Sequence, residues 1–293
     1  MTSKAALQKP SGAEASARGP TADDVRRAAG RINGRVARTP LVRAEKLSAS
    51  TGAEIWLKLE IFQQTGAFKE RGAVNKLLSL SEAEKRRGVI AASAGNHGQG
   101  VARHAKALGI AATIVMPTTT PDVKVRETRA LGAAVVLAGH GFDEARRHAE
   151  KIRSEKDLVF IHPFDDADII AGQGTIALEM LEDGPAYDAV IVPIGGGGLI
   201  AGMALVFKEQ SPRTEIIGVQ TGLFPSMKNA IDGGGRPVGG NTLAEGIAVR
   251  EAGRLTRAIV ASHVDDIALV DERALERALS LLMSEQKTLV EGA

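Results

Sequence analysis

The sequence contains no cysteine, and this absence excludes several kinds of chemistry. Disulfide bonds, thiolate nucleophiles and cysteine–zinc sites are all ruled out. Aromatic residues make up only 3% of the chain, so few side chains are available for stacking against nucleic-acid bases. The formal net charge of +2 does not demand a polyanionic partner. We therefore expect no nucleic-acid partner.

Long apolar runs are also missing from the chain. No stretch reaches the roughly 18 residues of a membrane-spanning helix, and the N-terminus lacks the apolar core of a signal peptide. We therefore expect a cytoplasmic protein without a membrane partner. The chain does have 293 residues, 44% of them hydrophobic, which is enough for a large core in one or two domains.

Short apolar runs alternate with helical patterns from Thr39 onward. Before that point, residues 1–20 show no apolar period and are predicted to form a mobile arm, and Thr21 with Asp24 resembles the cap of a helix reaching about Ile32. The predicted strands are 55–59, 88–92, 112–116, 134–137, 158–161, 188–193, 215–219 and 266–270. The predicted helices that follow are 71–80, 99–108, 123–131, 142–155, 174–182, 199–209 and 272–285.

This alternation predicts an α/β protein with open, mostly parallel, twisted sheets and helices on both faces. Eight strand–helix units could also close into a barrel, but their spacing is irregular. We predict two domains. A small domain at 81–160 is inserted in a large one formed by 21–80 and 161–293, and a ligand cleft lies near the carboxyl ends of the strands.

Four consecutive glycines, Gly195, Gly196, Gly197 and Gly198, precede a helical pattern that starts at Leu199. Glycines let the backbone approach a ligand, and a helix N-terminus presents free N–H groups, so the run predicts phosphate binding. A tight strand–helix turn is the simpler alternative. The run fits the dinucleotide pattern but lacks the ribose-binding carboxylate, and no Walker loop is present. A smaller phosphate compound, such as pyridoxal 5′-phosphate (PLP), remains.

Lys69 is the candidate partner of that cofactor. A lysine that forms a Schiff base must be partly neutral, which burial or a nearby positive charge promotes, and Arg71 adds such a charge. Phe68 can pack against an aromatic cofactor. A lone lysine beside a phenylalanine is more often a surface residue. The interpretation of Lys69 as a cofactor-binding residue therefore depends on the glycine run.

A third motif, Ser93-Ala94-Gly95-Asn96-His97, follows a predicted strand and opens a helix. Backbone N–H groups of such a turn can hold a carboxylate, and the Asn96 amide can bond a phenolic oxygen. The alternative is a capped turn with incidental polar residues. The six histidines show no metal-ligand spacing, so no metal site is predicted.

Together these motifs resemble those of the fold-type II PLP enzymes, whose fold is like that of the tryptophan synthase β chain. The resemblance is to the threonine/serine ammonia-lyases (threonine dehydratases), a branch that includes serine racemase. It extends in consistent order over nearly the whole chain after residue 30. The matching pieces are Thr39-Pro40-Leu41, 65–73, 93–100, 171–175, 192–202, 243–246 and 290–293.

The resemblance implies a role for each candidate residue. Lys69 would form the Schiff base and, once freed, remove the Cα proton of the substrate. The other implied contacts are Phe68 against the ring, the backbone amides of Gly195–Leu199 on the phosphate, Asn96 on the 3′-oxygen, Ser93 to His97 (with Ala94 and Gly95) around the substrate carboxylate, Gly246 beside the ring and Glu291 near the cofactor.

The implied activity is α,β-elimination from L-threonine, and from L-serine, to a 2-oxo acid and ammonia, in a homo-oligomer (dimer or tetramer). Three alternatives stay open: dehydration of another hydroxy amino acid such as 3-hydroxyaspartate, serine racemisation, and a truncated non-catalytic subunit.

Departures from the family pattern bear on this choice. Ala94 stands where serine racemases place a second base, which favours elimination, and Ala67 replaces a usual serine. The stretch 220–223 lacks the carboxylate metal ligand of the racemases. The family continues past Ala293 with a further helix, strand and turn, so the chain is expected to be incomplete.

Overall fold

The computed structural model of the chain describes residues 19–293. The arm predicted at 1–20 therefore lies outside the described residues, apart from its last two. In the described part, the chain forms twelve α-helices and nine strands.

The helices are α1 (Ala22–Ile32), α2 (Glu45–Thr51), α3 (Lys69–Ser79), α4 (Glu82–Arg87), α5 (Asn96–Ala107), α6 (Asp122–Ala130), α7 (Phe142–Lys156), α8 (Ala167–Asp183), α9 (Gly198–Gln210), α10 (Ser226–Asp232), α11 (Arg254–His263) and α12 (Glu272–Glu285). The strands are β1 (Leu41–Arg43), β2 (Trp56–Lys58), β3 (Val89–Ala92), β4 (Ala112–Met116), β5 (Ala134–Leu137), β6 (Val159–Phe160), β7 (Ala189–Pro193), β8 (Glu215–Thr221) and β9 (Asp266–Val270).

Two parallel sheets organise the fold. One has the strand order β5-β4-β3-β6 and the other the order β7-β8-β9, and every neighbouring pair in both is parallel. Strands β1 and β2 form a separate antiparallel pair. The predicted α/β class with open, mostly parallel sheets is confirmed. All four strands of the first sheet fall within 81–160, but the division into two domains stays a prediction.

Strand β3 shows why the four-stranded sheet is covered on both faces. Side chains alternate along a strand, so Val89 and Ala91 join α5 in one apolar cluster while Ile90 and Ala92 join α7 in another. All four are buried. A short run of consecutive apolar residues is the pattern of such a central strand.

The start of helix α8 differs from the sequence prediction because a side-chain cap sets it. Helix α8 begins at Ala167, well before the predicted residue 174, because the Asp166 carboxylate accepts hydrogen bonds from the backbone of Asp168 and Ile169. The glycines at 172 and 174 concealed this extension. The cap predicted for α1 is confirmed, since Thr21 and Asp24 form a capping box.

Two loops, one from each parallel sheet, lie at the carboxyl ends of their strands. The chain leaves β3 and enters α5 at Asn96, and it leaves β7 and enters α9 at Gly198. Helix α3, which starts at Lys69, packs against α5 and α8. None of the helices within 19–293 combines the length and apolar character needed to cross a membrane.

Candidate active site

A cleft of about 2270 Å³ brings together all the site residues predicted from the sequence. It is larger than an ordinary small-ligand pocket because it continues along the edge strand β7, where the Ile191 side chain is 70% exposed. The predicted residues that line it are Phe68, Lys69, Ser93, Ala94, Gly95, Asn96, His97, Gly195, Gly196, Gly197, Gly198, Leu199, Gly246 and Glu291. This establishes their proximity, while their individual roles stay predictions.

Lys69 lies at the first position of α3, and its half-buried side chain lines the cleft. Burial lowers the pKa of the amine from 10.5 to about 8. The Nζ atom donates a hydrogen bond to the carbonyl of Pro163 at 3.1 Å and lies 5.1 Å from the centroid of the Phe68 ring. A substantial fraction of this amine is therefore neutral near pH 7 to 8.

The charge that Arg71 was expected to add beside Lys69 is directed elsewhere, so that expectation is wrong. Arg71 is fully buried, and its guanidinium donates to Glu60 at 2.7 and 2.8 Å and to Glu179 at 2.6 and 2.9 Å. Residues two positions apart on a helix do not share a face. Burial alone therefore accounts for the lowered pKa of Lys69.

The turn between β3 and α5 is stabilised by hydrogen bonds to one of its own side chains. The Ser93 hydroxyl accepts hydrogen bonds from the backbone N–H groups of Gly95 at 3.3 Å and Gly98 at 3.1 Å. The Asn96 side chain donates through Nδ2 to Glu291 Oε2 at 2.8 Å. The two residues predicted separately to lie near the cofactor thus form a pair, which fixes which end of the Asn96 amide is the donor.

His97 is a buried neutral side chain. Its Nε2 bonds the carbonyl of Ile161 at 3.0 Å, and because a carbonyl only accepts, the proton lies on Nε2. Burial, and then the positive charge of Lys69, lower the pKa of His97 to about 3. Nδ1 is buried and has no hydrogen-bond partner within residues 19–293. A substrate carboxylate in this turn would meet backbone N–H groups and a neutral imidazole.

The glycine run is shaped by its neighbours. Gly197 has a φ of 94°, in the left-handed region, and a Cβ there would lie 2.5 Å from the Cε atom of Met227. A Cβ on Gly196 would lie only 2.3 to 2.4 Å from three carbon atoms of the Phe164 ring. Within residues 19–293, no side chain caps the first turn of α9, so its N–H groups are available to an anion.

The cleft therefore combines groups that fit PLP. A buried amine with a lowered pKa can bond its aldehyde carbon, and the Asn96 amide can donate to its phenolic oxygen. The uncapped N-terminus of α9 can take its phosphate. Gly246 and Glu291 complete the rim, since a Cβ on Gly246 would lie 3.9 Å from Glu291 Oε2.

The sequence did not point to the segment after β6, which the structure places against the predicted residues. Pro163 supplies the carbonyl for Lys69, and Phe164 fills the space beside Gly196. Asp165 of this segment and the more distant Thr256 connect it to α11 and the glycine run. One signal was available: the segment follows a predicted parallel strand, so it ends at the same sheet edge as the asparagine turn.

Comparisons with known proteins agree with this geometry. The family described as "Pyridoxal-phosphate dependent enzyme" matches residues 32–293. The L-threonine ammonia-lyase of Thermotoga maritima is 48% identical over 275 residues, which is 93% of this chain and 69% of that protein. That of Geobacter sulfurreducens is 46% identical, over 90% of this chain and 66% of that protein. The chain thus spans about two thirds of the length of these two relatives.

Solved structures of the same fold include a plant threonine deaminase and a plant serine racemase. The processed form of threonine deaminase isoform 2 from Solanum lycopersicum has a TM-score of 0.87 at 40% identity, covering 94% of this chain and 77% of that one. Maize serine racemase has a TM-score of 0.88 at 34% identity, covering 94% and 86%. The fold is therefore shared by enzymes with two different reactions.

Proposed function

Because the chain belongs to the family of pyridoxal-phosphate-dependent enzymes, we propose that it catalyses α,β-elimination from L-threonine, yielding 2-oxobutanoate and ammonia. L-Serine is the second substrate to test. Three bacterial relatives, at 44 to 48% identity, are named L-threonine ammonia-lyase or L-threonine dehydratase. The observation that carries the proposal is the buried Lys69 amine, which faces the glycine run and the asparagine turn across one cleft.

The proposed chemistry divides between cofactor and protein. When bound, PLP supplies an electron sink for the electron pair left as the Cα–H bond breaks. Lys69 supplies the anchor and the base: its lowered pKa leaves a neutral amine that can accept the Cα proton. The carbonyl of Pro163 holds Nζ at the floor of the cleft.

The remaining residues of the site bind and orient the cofactor and the substrate. We assign the phosphate to the backbone N–H groups of Gly195–Leu199 and the substrate carboxylate to the turn of Ser93 to His97. Glu291 orients the Asn96 amide by accepting a hydrogen bond from one of its two N–H groups. The other N–H group is left to donate to the phenolic oxygen. Phe68 packs beside the lysine and can contact the cofactor ring.

Ala94 favours elimination over serine racemisation. Racemisation requires a proton donor on the face of Cα opposite the lysine, and the methyl group of Ala94, which lines the cleft, supplies none. Incubation with L-serine followed by chiral analysis distinguishes the two reactions: pyruvate without D-serine supports elimination. The same assay with 3-hydroxyaspartate tests the other dehydratase.

Replacement of Lys69 by alanine tests the proposal. We expect Lys69→Ala to lose the visible absorption band of the lysine-bound cofactor and all 2-oxo acid formation from threonine, because both anchor and base are removed. The matched control is Lys151→Ala, whose side chain is 69% exposed on α7 and which should keep both. A band and activity that survive in Lys69→Ala would refute the cofactor assignment.

We also propose the wider setting predicted from the sequence. A large domain (21–80 and 161–293) and a small one (81–160) would face each other across the cleft, in a cytoplasmic homo-oligomer. Light scattering after size exclusion separates a dimer or tetramer from a monomer. The alternative of a non-catalytic subunit predicts that purified protein neither takes up PLP nor converts threonine.

A further inference from the structure

Residues 161–165, here called the bridging segment, contact both the lysine and the asparagine turn. The carbonyl of Ile161 accepts from His97, and the carbonyl of Pro163 accepts from Lys69. The segment is rigid because His162 Nδ1 accepts two backbone N–H groups of the segment itself, at 3.2 and 2.8 Å. Burial lowers the pKa of His162 to about 4, so this acceptor persists at neutral pH.

The same segment also contacts the glycine run. The ring of Phe164 occupies the space where a side chain of Gly196 would lie, and its backbone is 3.1 Å from the Cβ position of Gly198. The glycine run is thus packed against the segment that receives the lysine amine.

Asp165, at the end of the bridging segment, holds the first turn of α11. Its carboxylate accepts from the backbone of Arg254 at 2.9 Å, Leu255 at 2.8 Å and Thr256 at 3.2 Å. A carboxylate at this position satisfies free N–H groups and complements the helix dipole. The position of Thr256 is therefore tied to the bridging segment.

Thr256, in the first turn of α11, in turn contacts the glycine run. Its hydroxyl is fully buried and donates to the carbonyl of Gly196 at 2.7 Å. In a trans peptide the C=O and the following N–H point in opposite directions. By holding the carbonyl of Gly196, Thr256 fixes the N–H of Gly197 on the opposite side of the peptide plane.

We propose that Thr256 and Asp165 are positioning residues for the cofactor phosphate. Thr256 orients the peptide between Gly196 and Gly197 so that its N–H is presented to the phosphate, and Asp165 fixes the turn from which Thr256 acts. The inference rests on the proposed assignment of the phosphate to the glycine run. Neither Thr256 nor Asp165 contacts Lys69. Replacing them should therefore change the binding of the phosphate and not the bond between the cofactor and the lysine.

The test compares PLP with pyridoxal, which has the same aldehyde but no phosphate. We expect Thr256→Val to weaken PLP binding about tenfold and pyridoxal binding less than about twofold, because one buried hydrogen bond that aligns the phosphate donors is lost. Dissociation constants come from titration of the visible band. Inorganic phosphate should also compete less well with PLP on the variant.

Three further variants complete the design. Thr256→Ser keeps the hydroxyl and should retain the wild-type preference for PLP over pyridoxal. Asp165→Asn should reduce that preference, and it provides a second test if Thr256→Val does not fold. Thr128→Val is the control, since Thr128 is equally buried but donates to the carbonyl of Lys124 within α6. It should leave both dissociation constants unchanged.

The outcomes separate this inference from the function on which it rests. If wild-type protein prefers PLP to pyridoxal and Thr256→Val keeps that preference, the inference is overturned and the proposed function stands. Equal losses for PLP and pyridoxal would also overturn it, as they indicate a general structural defect. If wild-type protein shows no preference for PLP, the assignment of phosphate to the glycine run and the inference are overturned together.

Discussion

Two cationic residues on α3, Lys69 and Arg71, have opposite surroundings. The Lys69 amine donates a hydrogen bond to the carbonyl of Pro163, and burial lowers the pKa of the amine to about 8. The Arg71 guanidinium lies between two carboxylates and stays charged. One residue is thus suited to react and the other to hold the helix in place, although both belong to the same turn of the same helix.

The pKa of Lys69 leads to a pH prediction for cofactor uptake. Only the neutral amine attacks the aldehyde, and a pKa of about 8 means that its fraction grows as pH rises. We expect the rate of PLP uptake by cofactor-free protein to increase about tenfold per pH unit from about pH 6 and to level off above about pH 8. Stopped-flow absorbance measures this rate. A rate still rising steeply at pH 10 would indicate an ordinary, solvated lysine.

The ion pairs of Arg71 lead to a stability prediction. Glu179→Gln leaves Arg71 with a single charged partner in the interior and also removes the partner of Lys58, 2.6 Å away. We expect the free energy of unfolding to fall by about 3 kcal/mol, because breaking a buried pair leaves an uncompensated charge. Urea unfolding measures it. The control is Glu182→Gln, a 64% exposed partner of Arg38, with an expected loss below about 1 kcal/mol.

At the scale of elements, the site is built from turns that join a parallel strand to a helix. Strand β7 leads through the glycine run into α9, and β3 leads through the asparagine turn into α5. Each turn lies at the carboxyl end of a strand of its own sheet, and both turns line the same cleft, where the helix N-termini present N–H groups. Two anionic groups of one ligand–substrate pair can therefore be bound without a cationic side chain.

The glycine run itself supports a prediction about packing. A Cβ at Gly196 has no room beside Phe164, so Gly196→Ala must displace the turn. We expect PLP affinity to fall at least about tenfold, since the phosphate donors move with the backbone. Gly222→Ala is the control, because its added Cβ would make only an ordinary contact at 3.5 Å. Equal PLP affinity in both variants would show that the turn is not held as described.

The features of the fold and site that depend on residues close together in the sequence were predictable, and those that depend on residues far apart in the sequence were not. The apolar periods and the local motifs at 68–69, 93–97 and 195–199 predicted the fold class, the family and the cofactor, and these are confirmed. Thr256 and Asp165 were missed because their hydrogen bonds join residues 60 and 91 positions apart, and neither carries a local motif. The burial of Arg71 was missed because its carboxylates come from other elements.

At the scale of the whole molecule, the cleft is lined by residues from Thr51 to Ala293. A ligand that bridges it therefore binds the folded chain and not the unfolded one. We expect PLP at about 100 times its dissociation constant to add about 2.7 kcal/mol to the stability of wild-type protein. Differential scanning calorimetry detects this as a higher melting temperature. The same increase in Lys69→Ala would mean that the cofactor does not depend on this lysine.

The contact between Phe164 and Gly196 has an evolutionary consequence. Four glycines in a row would ordinarily form the loosest part of a chain, yet here an aromatic ring from another segment fills the volume that their side chains leave free. Only one of the two positions can carry a bulky group. In related enzymes with a larger residue in place of Gly196, we expect a smaller one in place of Phe164, so the two positions should vary together.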